Sequence, residues 1–189
     1  MNEDLVSVIM PAFNSERYIV ESIESILNQT YRNIELLITD DGSEDNTISI
    51  IKSYAQKDSR VKAFFLKGNT GAGSARNNSI KHAKGRYIAF CDSDDVWLPE
   101  KLEKQIRFMQ EKNCCFAFAS YYVFDSESRK KGIVLAPSSV SLIDTKRDDK
   151  IGFLTAVYDT SFYGKFYMPT LRKRQDWAYV LQILQKCGH

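Results

Sequence analysis

Three aspartates occur within four residues in the segment Asp92-Ser-Asp94-Asp95, directly after an apolar run at residues 87–91. Carboxylates this close repel one another when they converge without a cation. Asp92 and Asp94 lie two positions apart, so in extended chain their side chains can point toward a common site. Their oxygens suit a hard divalent cation, which keeps waters and takes its other ligands from substrate phosphates. The alternative is a solvated acidic turn that caps a helix.

A glycine-rich segment supplies a second candidate site, with the sequence Gly68-Asn-Thr-Gly71-Ala-Gly73 followed by Ser-Ala-Arg76. Its G-x-x-G-x-G spacing differs from the G-x-G-x-x-G dinucleotide fingerprint, and no P-loop motif occurs in the chain. Glycines that lead into a helix let the backbone approach a diphosphate, and Arg76 adds a positive charge. A flexible turn without a ligand is the alternative interpretation.

The elements that must position these residues alternate regularly in the first half of the chain. Apolar runs predict four strands, and an amphipathic stretch after each predicts a helix; the runs cover residues 5–10, 34–39, 61–66 and 87–91. This alternation indicates an α/β fold with a mostly parallel sheet covered by helices. Ligands bind beyond the carboxyl ends of such strands. Three polar clusters occupy those ends: Pro11-Ala-Phe-Asn14, Asp40-Asp-Gly-Ser43 and Asp92-Ser-Asp-Asp95.

The pattern changes after residue 112. Apolar or β-branched runs at residues 114–125, 133–135 and 151–158 predict further strands, and residues 126–131 predict a polar turn. A last helix is expected to start near Gln175, with an apolar stripe of Trp177, Val180, Leu181 and Leu184. We therefore expect a single domain whose second half is a smaller α+β unit.

Composition narrows the class of protein. The 189 residues are 43% hydrophobic and 26% charged, which is typical of a globular domain. A net charge of +2 gives no reason to expect nucleic acid as a partner. The acidic start lacks the basic region of a secretory signal, and no apolar run reaches the ~18 residues of a membrane span. These features favour a cytoplasmic domain.

Cysteine and histidine offer little for metal binding. The four cysteines contain no C-x-x-C pair, and there are only two histidines. We expect the cysteines to be reduced and packed in or near the core. Any metal ion would then be held by carboxylates.

Considered together, these segments are similar to the inverting family 2 nucleotide-sugar glycosyltransferases of GT-A fold. The motifs follow the family's order and spacing over residues 5–112, and residues 113–189 match more loosely. They are Val6-Ser-Val-Ile-Met-Pro-Ala-Phe-Asn14, Ser25-Ile-Leu-Asn-Gln-Thr30, Asp40-Asp-Gly-Ser43, Gly71-Ala-Gly-Ser-Ala-Arg-Asn77, Gly85-Arg-Tyr-Ile-Ala-Phe-Cys-Asp-Ser-Asp-Asp95 and Arg174-Gln-Asp-Trp177.

The resemblance implies a Rossmann-like, three-layer α/β/α fold and a set of nucleotide-binding residues. Pro11, Phe13 and Asn14 would line the nucleotide pocket. Asp41 would accept a hydrogen bond from the base, usually uracil, and Arg76 would lie near the nucleoside or the diphosphate.

The same resemblance implies roles for three further aspartates. Asp92 would help hold the sugar nucleotide, and Asp94 would be the direct ligand of Mn²⁺ or Mg²⁺. Asp176 would be the general base. The residues alone favour a different interpretation, in which Asp176 is a carboxylate that the macrodipole stabilises in the first turn of a helix.

The implied reaction is metal-dependent inverting transfer of a sugar, with a UDP-sugar as the expected donor. The acceptor would be a hydroxyl of a saccharide or of a lipid-linked saccharide in surface polysaccharide synthesis. The basic run Arg172-Lys-Arg174 fits a solvated surface or peripheral contact with the inner face of the membrane. The sequence gives no prediction of the oligomeric state.

We expect residues 1–189 to form one glycosyltransferase domain, with a nucleotide-sugar half at 1–112 and an acceptor half at 113–189. The chain stops one helix after Asp176, so relative to the family we expect a truncation at its C-terminus. Two other functions stay open. One is a nucleotide-sugar-binding domain without transferase activity. The other is a nucleotidyltransferase, which should carry a basic, glycine-rich loop where this chain has Pro11-Ala-Phe-Asn14.

Overall fold

A central sheet of six strands organises the protein, seen here in a computed structural model that describes residues 4–125, 127, 129–148, 151–171 and 173–187. Its strands are β1 Val6–Ala12, β2 Ile34–Asp40, β3 Val61–Phe65, β4 Tyr87–Phe90, β5 Phe116–Ala117 and β8 Val157–Asp159. The order is β3-β2-β1-β4-β8-β5. The first four strands are parallel, and β8 is antiparallel to both β4 and β5. The predicted mostly parallel α/β sheet is confirmed.

Helices cover both faces of this sheet, and alternation along the strands separates two cores. The helices are α1 Ile19–Leu27, α2 Thr47–Lys57, α3 Ala72–His82, α4 Lys101–Lys112, α5 Leu142–Arg147, α6 Thr160–Tyr163 and α7 Gln175–Cys187. Val8 and Met10 of β1 face a core built with α1, α2 and α4. Ile9 faces the opposite core, built with α3 and α7. The result is the predicted three-layer arrangement.

Strand β1 continues two residues beyond the expected end, through Pro11 to Ala12. Proline lacks the N–H that a central strand must donate, so it normally ends such a strand. Here β4 pairs with β1 only as far as Ile9, whereas β2 pairs with β1 as far as Ala12. Pro11 lies on the same side of the backbone as Ile9, where β4 has already ended. No ladder hydrogen bond is lost, and the strand carries Pro11 to the ligand-binding edge.

The second half departs from the expected strands. The run at 114–125 splits into β5 and a separate strand, β6 Tyr121–Phe124, and β6 pairs with β7 Lys130–Val134 in a two-stranded ribbon. The run at 151–158 contains a 3₁₀ turn at Phe153–Thr155 before β8. The short helices α5 and α6 were not expected. In this half tertiary packing decides the local structure, because short apolar runs fit strand and helix alike.

Helix α7 starts at Gln175 as predicted, but its buried stripe differs from the predicted one. Tyr179, Val180, Ile183 and Leu184 face the core. Trp177 and Leu181, which the pattern placed in the stripe, are only partly buried. Among the described helices, none combines the length and the apolar character needed to cross a membrane. The predicted division of the domain after residue 112, where α4 ends, stays a prediction.

The expectation of four reduced cysteines is wrong for two of them. The sulfur atoms of Cys115 and Cys187 are bonded, which joins β5 to the end of α7. Cys91 and Cys114 are free. Seventy-two positions separate the paired cysteines. Only the packing of α7 over the sheet brings them together, so no spacing rule could indicate the pair.

Candidate active site

A cavity of about 350 Å³ opens at the carboxyl ends of β1, β2 and β4. The three polar clusters predicted to meet at this edge do meet there. The lining residues are Pro11, Ala12, Phe13, Asp41, Asn69, Ala72, Ala75, Arg76, Asp92, Ser93 and Asp94. The first turn of α3 belongs to the wall, so its free backbone N–H groups and positive dipole end lie beside the carboxylates. Such a surface is suited to an anionic ligand.

Asp41 organises one wall of this cavity. Its carboxylate is buried and accepts hydrogen bonds from the backbone N–H of Thr70 at 2.9 Å, the Thr70 hydroxyl at 2.6 Å and the N–H of Gly71 at 2.6 Å. Two of these bonds use Oδ1 and one uses Oδ2. A carboxylate oxygen can accept about two hydrogen bonds, so Oδ2 retains capacity for one more donor. Asp41 therefore holds the glycine-rich turn in place and can still receive an N–H from a ligand.

The loop after β4 is fixed through Ser93, the residue between the two aspartates of D-x-D. Its hydroxyl lies 2.7 Å from the hydroxyl of Ser15, and its carbonyl accepts a hydrogen bond from the hydroxyl of Ser22 at 2.9 Å. Both bonds are buried. They hold the backbone in place so that Asp92 and Asp94 both face the cavity, as the spacing predicted.

Arg76 is paired with Asp92 inside the cavity. The guanidinium donates from Nη2 to Asp92 Oδ1 at 2.6 Å and lies 5.4 Å from the ring centroid of Phe153. The Arg76 side chain is 10% exposed, and its Nε is buried without a hydrogen-bond partner. A cation in this position neutralises one carboxylate of the D-x-D segment and leaves Asp94 exposed at the cavity wall.

Asp95 does not line the cavity. Burial, followed by the neighbouring charges of Asp92 and Asp94, raises the pKa of Asp95 to about 7. Within the described residues, no group of three or more His, Cys, Asp or Glu side chains is arranged to hold a metal ion. The side chains that could bind a metal ion at the cavity are therefore one exposed carboxylate, that of Asp94, and the ion-paired carboxylate of Asp92 beside it. This set fits a magnesium-like ion, which takes one or two carboxylates together with substrate phosphates.

A second cavity, of about 300 Å³, adjoins the first through Asp92, which lines both. The other lining residues are Tyr121, Val134, Ile151, Gly152, Phe153, Leu154 and Asp176. Asp176 lies in the first turn of α7, and the neighbouring Trp177 anchors that turn by donating from Nε1 to the carbonyl of Thr145 at 2.6 Å. The predicted base therefore faces a separate space next to the predicted donor pocket.

Asn14 is the one predicted site residue that lines neither cavity. It adopts a positive φ of 47°, a conformation in which asparagine is over-represented. Its side-chain oxygen accepts from the N–H of Glu44 at 2.9 Å, and its own N–H donates to the hydroxyl of Ser43 at 2.9 Å. Asn14 therefore ties the loop after β1 to the loop after β2.

The walls of the second cavity were not predicted from sequence. Tyr121 and Val134 come from the ribbon, and Gly152 to Leu154 come from the 3₁₀ turn, in segments interpreted simply as strands. Apolar side chains carry no chemical signature in a sequence. Gly152 packs so closely on this wall that a Cβ added there would lie 2.7 Å from Cδ1 of Tyr121. That close approach is visible only in three dimensions.

Comparison with known proteins agrees with this geometry. The model of glycosyl transferase family 2 matches residues 7–172. WfgD of Escherichia coli, a UDP-Glc:alpha-D-GlcNAc-diphosphoundecaprenol beta-1,3-glucosyltransferase, is 40% identical over 98% of this chain and 72% of its own length. TuaG of Bacillus subtilis (strain 168), assigned to teichuronic acid biosynthesis, is 40% identical over 96% of this chain and 73% of its own. The chain belongs to glycosyl transferase family 2.

A solved structure supports the same assignment. Residues 1–349 of TarS from S. aureus in complex with UDP superpose with a TM-score of 0.78 at 25% identity. The match covers 97% of this chain and 56% of the TarS chain, so this chain spans little more than half of that structure. Another structure of the same TarS fragment holds UDP-GlcNAc. The predicted family, its GT-A fold and the class of glycosyltransferases are thereby confirmed.

Proposed function

We propose that this protein transfers a sugar from a UDP-sugar to a hydroxyl of a saccharide or lipid-linked saccharide, in bacterial surface polysaccharide synthesis. The observation that carries the proposal is the position of Asp92, which lines both cavities. A donor in the first cavity would present its sugar at this junction. An acceptor hydroxyl in the second cavity would approach the sugar from the side of Asp176.

The first cavity has the residues needed for a nucleoside diphosphate. Oδ2 of Asp41 has capacity for an N–H of the base, and Pro11 and Phe13 give the wall apolar surface for the nucleoside. Arg76 offers a guanidinium whose Nε has no partner, and the first turn of α3 faces the same space. UDP in TarS and the UDP-glucose donor named for WfgD support uridine as the nucleoside.

We assign the metal ligand to Asp94, whose exposed carboxylate lines the first cavity. A bound Mn²⁺ or Mg²⁺ would supply Lewis-acid stabilisation of the diphosphate as it leaves. Arg76 and Asp92 keep their own charges balanced by their ion pair, so Asp94 is the carboxylate with oxygens left for a cation. Asp92 is then positioned to accept hydrogen bonds from sugar hydroxyls.

We assign the general base to Asp176. A carboxylate that takes the proton from an attacking hydroxyl accelerates transfer by about 10²–10⁴. Asp176 shares its cavity with Asp92, so the hydroxyl it activates would lie beside the donor sugar. Attack opposite the leaving diphosphate in a single displacement inverts the anomeric centre, so an α-linked donor would give a β-linked product. The beta-1,3 linkage named for WfgD is compatible with this outcome.

The test separates transfer from binding. We expect Asp176→Asn to lower sugar transfer by roughly a hundredfold or more, while UDP still binds in the presence of Mn²⁺. Glu111→Gln, an exposed change on α4, serves as the matched control and should leave both quantities within a few-fold. If Asp176→Asn transfers sugar nearly as well as the wild type, the base assignment fails. If the wild type binds UDP-sugars but transfers sugar to neither saccharide nor lipid-linked acceptors, the protein is a binding domain.

A further inference from the structure

The ribbon of β6 and β7 lies apart from the central sheet and forms part of the second cavity. Its strands pair only with each other among the described strands, with Tyr121 opposite Val134. Both of these residues line the cavity that contains Asp176. The Tyr121 ring also packs directly on Gly152. One face of the ribbon, the cavity face, is thus anchored beside the candidate base.

The opposite face of the ribbon, which we call the outer face, is apolar and exposed. Alternation places Tyr122 and Phe124 of β6 on it. Tyr122 pairs with Ile133 of β7, and after a register shift Phe124 pairs with Lys130. Leu135 continues the pattern just after β7. The four apolar side chains are 45%, 56%, 49% and 72% exposed in the order Tyr122, Phe124, Ile133, Leu135. An antiparallel pair with one face against the protein normally turns polar residues outward. In this ribbon the outward-facing residues are apolar instead.

Cationic side chains lie on the outer face and beside the cavity of Asp176. The ammonium of Lys130 lies 3.7 Å from the ring centroid of Tyr122. Lys146 and Arg147 end α5, and Lys173 and Arg174 precede α7; all four are exposed. The hydrogen bond from Trp177 to Thr145 holds these two segments together beside Asp176. Arg172, the first residue of the basic run, lies outside the described residues.

We propose that the outer face docks into the interfacial region of an anionic bilayer, with Lys130 and the cations beside Asp176 against the lipid headgroups. This inference rests on the proposed function, because a lipid-linked acceptor stays anchored in the membrane while its sugar hydroxyl reaches Asp176. Exposed aromatic and aliphatic side chains combined with Lys and Arg are the composition of interfacial elements. Since the ribbon's other face lines the cavity of Asp176, docking places that cavity beside the headgroups.

Charge distinguishes a bilayer from a second copy of the chain as the occupant. A symmetric dimer through the outer face would bury the charge of Lys130 of both copies in an apolar contact, which is unfavourable. Anionic lipids attract each such cation independently. The outer face therefore matches an anionic lipid surface better than it matches itself.

The test is flotation with vesicles made of equal amounts of phosphatidylcholine and phosphatidylglycerol, compared with phosphatidylcholine alone. We expect the wild type to bind the anionic vesicles. The triple change Phe124→Ser, Ile133→Thr, Leu135→Ser should weaken that binding roughly tenfold or more. The matched control Val20→Thr, Phe65→Ser, Phe108→Ser alters three exposed apolar residues elsewhere and should stay within twofold of the wild type. Thermal unfolding checks that both variants fold.

A charge variant keeps the test decisive if the triple variant does not fold. Lys146→Glu with Lys173→Glu should weaken binding to anionic vesicles roughly tenfold or more and leave binding to neutral vesicles unchanged. The proposal is overturned if the wild type does not float, if the face and control variants bind equally well, or if light scattering shows a dimer that the face variant dissociates.

A separate assay distinguishes this proposal from the proposed function. With a water-soluble acceptor that lacks a long lipid chain, the face variant should transfer sugar within twofold of the wild type. A wild type that floats yet transfers sugar to no acceptor would contradict the proposed function and leave docking supported. Loss of transfer to the soluble acceptor in the folded face variant would instead contradict docking as the ribbon's role.

Discussion

Gly73, in the first turn of α3, lies directly against the side chain of Gln175, the first residue of α7. A Cβ added at Gly73 would lie 2.6 Å from Cδ of Gln175, closer than real side chains approach. Gln175 in turn donates from Nε2 to the carbonyl of Leu171. Because Asp176 is the next residue, this contact joins the helix that borders the donor cavity to the helix that carries the candidate base.

We expect Gly73→Ala to lower the turnover number and to leave UDP affinity within a few-fold. The added methyl group must displace the end of the Gln175 side chain. We expect this shift to break its hydrogen bond to the Leu171 carbonyl and to loosen the start of α7. Steady-state kinetics and calorimetry measure the two effects. Gly132→Ala, at a glycine with open space around it, is the control.

The coupling between the two residues can be measured directly. In a Gln175→Ala background the space beside Gly73 is free, so Gly73→Ala should no longer reduce turnover. There it should instead stabilise the fold by about 0.5–1 kcal/mol, the ordinary gain from replacing a helical glycine. Equal effects of Gly73→Ala in both backgrounds would contradict the coupling.

Asp94→Ala should weaken UDP binding in the presence of Mn²⁺ and barely change the weaker binding measured with EDTA. The reason is that a metal ion held by Asp94 would add to the affinity only when the ion and the diphosphate are both present. Isothermal titration calorimetry with and without Mn²⁺ gives the comparison. Glu111→Gln should show the full metal effect. Unchanged Mn²⁺-dependent affinity in Asp94→Ala would refute this ligand assignment.

Asp41→Asn should destabilise the protein by about 1–3 kcal/mol and abolish most UDP binding. The amide group offers one acceptor oxygen where the carboxylate has two, so the N–H groups of Thr70 and Gly71 can no longer both be satisfied. Urea unfolding and calorimetry measure these losses. Thr70→Val removes only the hydroxyl donor and should cost less. A fully stable Asp41→Asn variant would show that Asp41 does not hold the turn.

We expect the buried side chain of Lys101 to make the stability of the protein depend on pH. Its nitrogen is buried without a hydrogen-bond partner, 3.7 Å from the Trp97 ring centroid, and burial lowers the pKa of Lys101 from 10.5 to about 7. Cys91 is the other titratable group that acts on it. Between these pKa values the unfolded chain binds more protons than the folded one, so this group makes stability rise with pH. Below pH 7 its destabilising effect is complete.

Lys101→Met should therefore raise the free energy of unfolding, with a larger gain at about pH 6 than at about pH 9. Methionine keeps the aliphatic contact with Trp97 and has no charge to bury. Urea unfolding at the two pH values measures the difference. Lys104→Met, one turn away and exposed, should show no such pH dependence. A gain that does not fall with pH would contradict the lowered pKa.

Much of the first cavity, the proposed nucleotide-sugar pocket, could be predicted from the sequence. The apolar runs, the glycine-rich segment and the D-x-D carboxylates depend on neighbours within a few positions, and parallel strands bring their carboxyl ends to one edge. The start of α7 at Gln175 was likewise predicted from periodicity. Asn14 is the partial exception, because its side chain bonds to the loop after β2, a contact that the motif does not encode.

The tertiary structure alone decided how the two halves of the site meet. The ion pair of Arg76 with Asp92, the contact of Gly73 with Gln175 and the bond between Cys115 and Cys187 join residues that local patterns cannot relate. The ribbon and the 3₁₀ turn that wall the second cavity also depend on packing. Short apolar runs there have no fixed preference, so burial against the rest of the fold selects their structure.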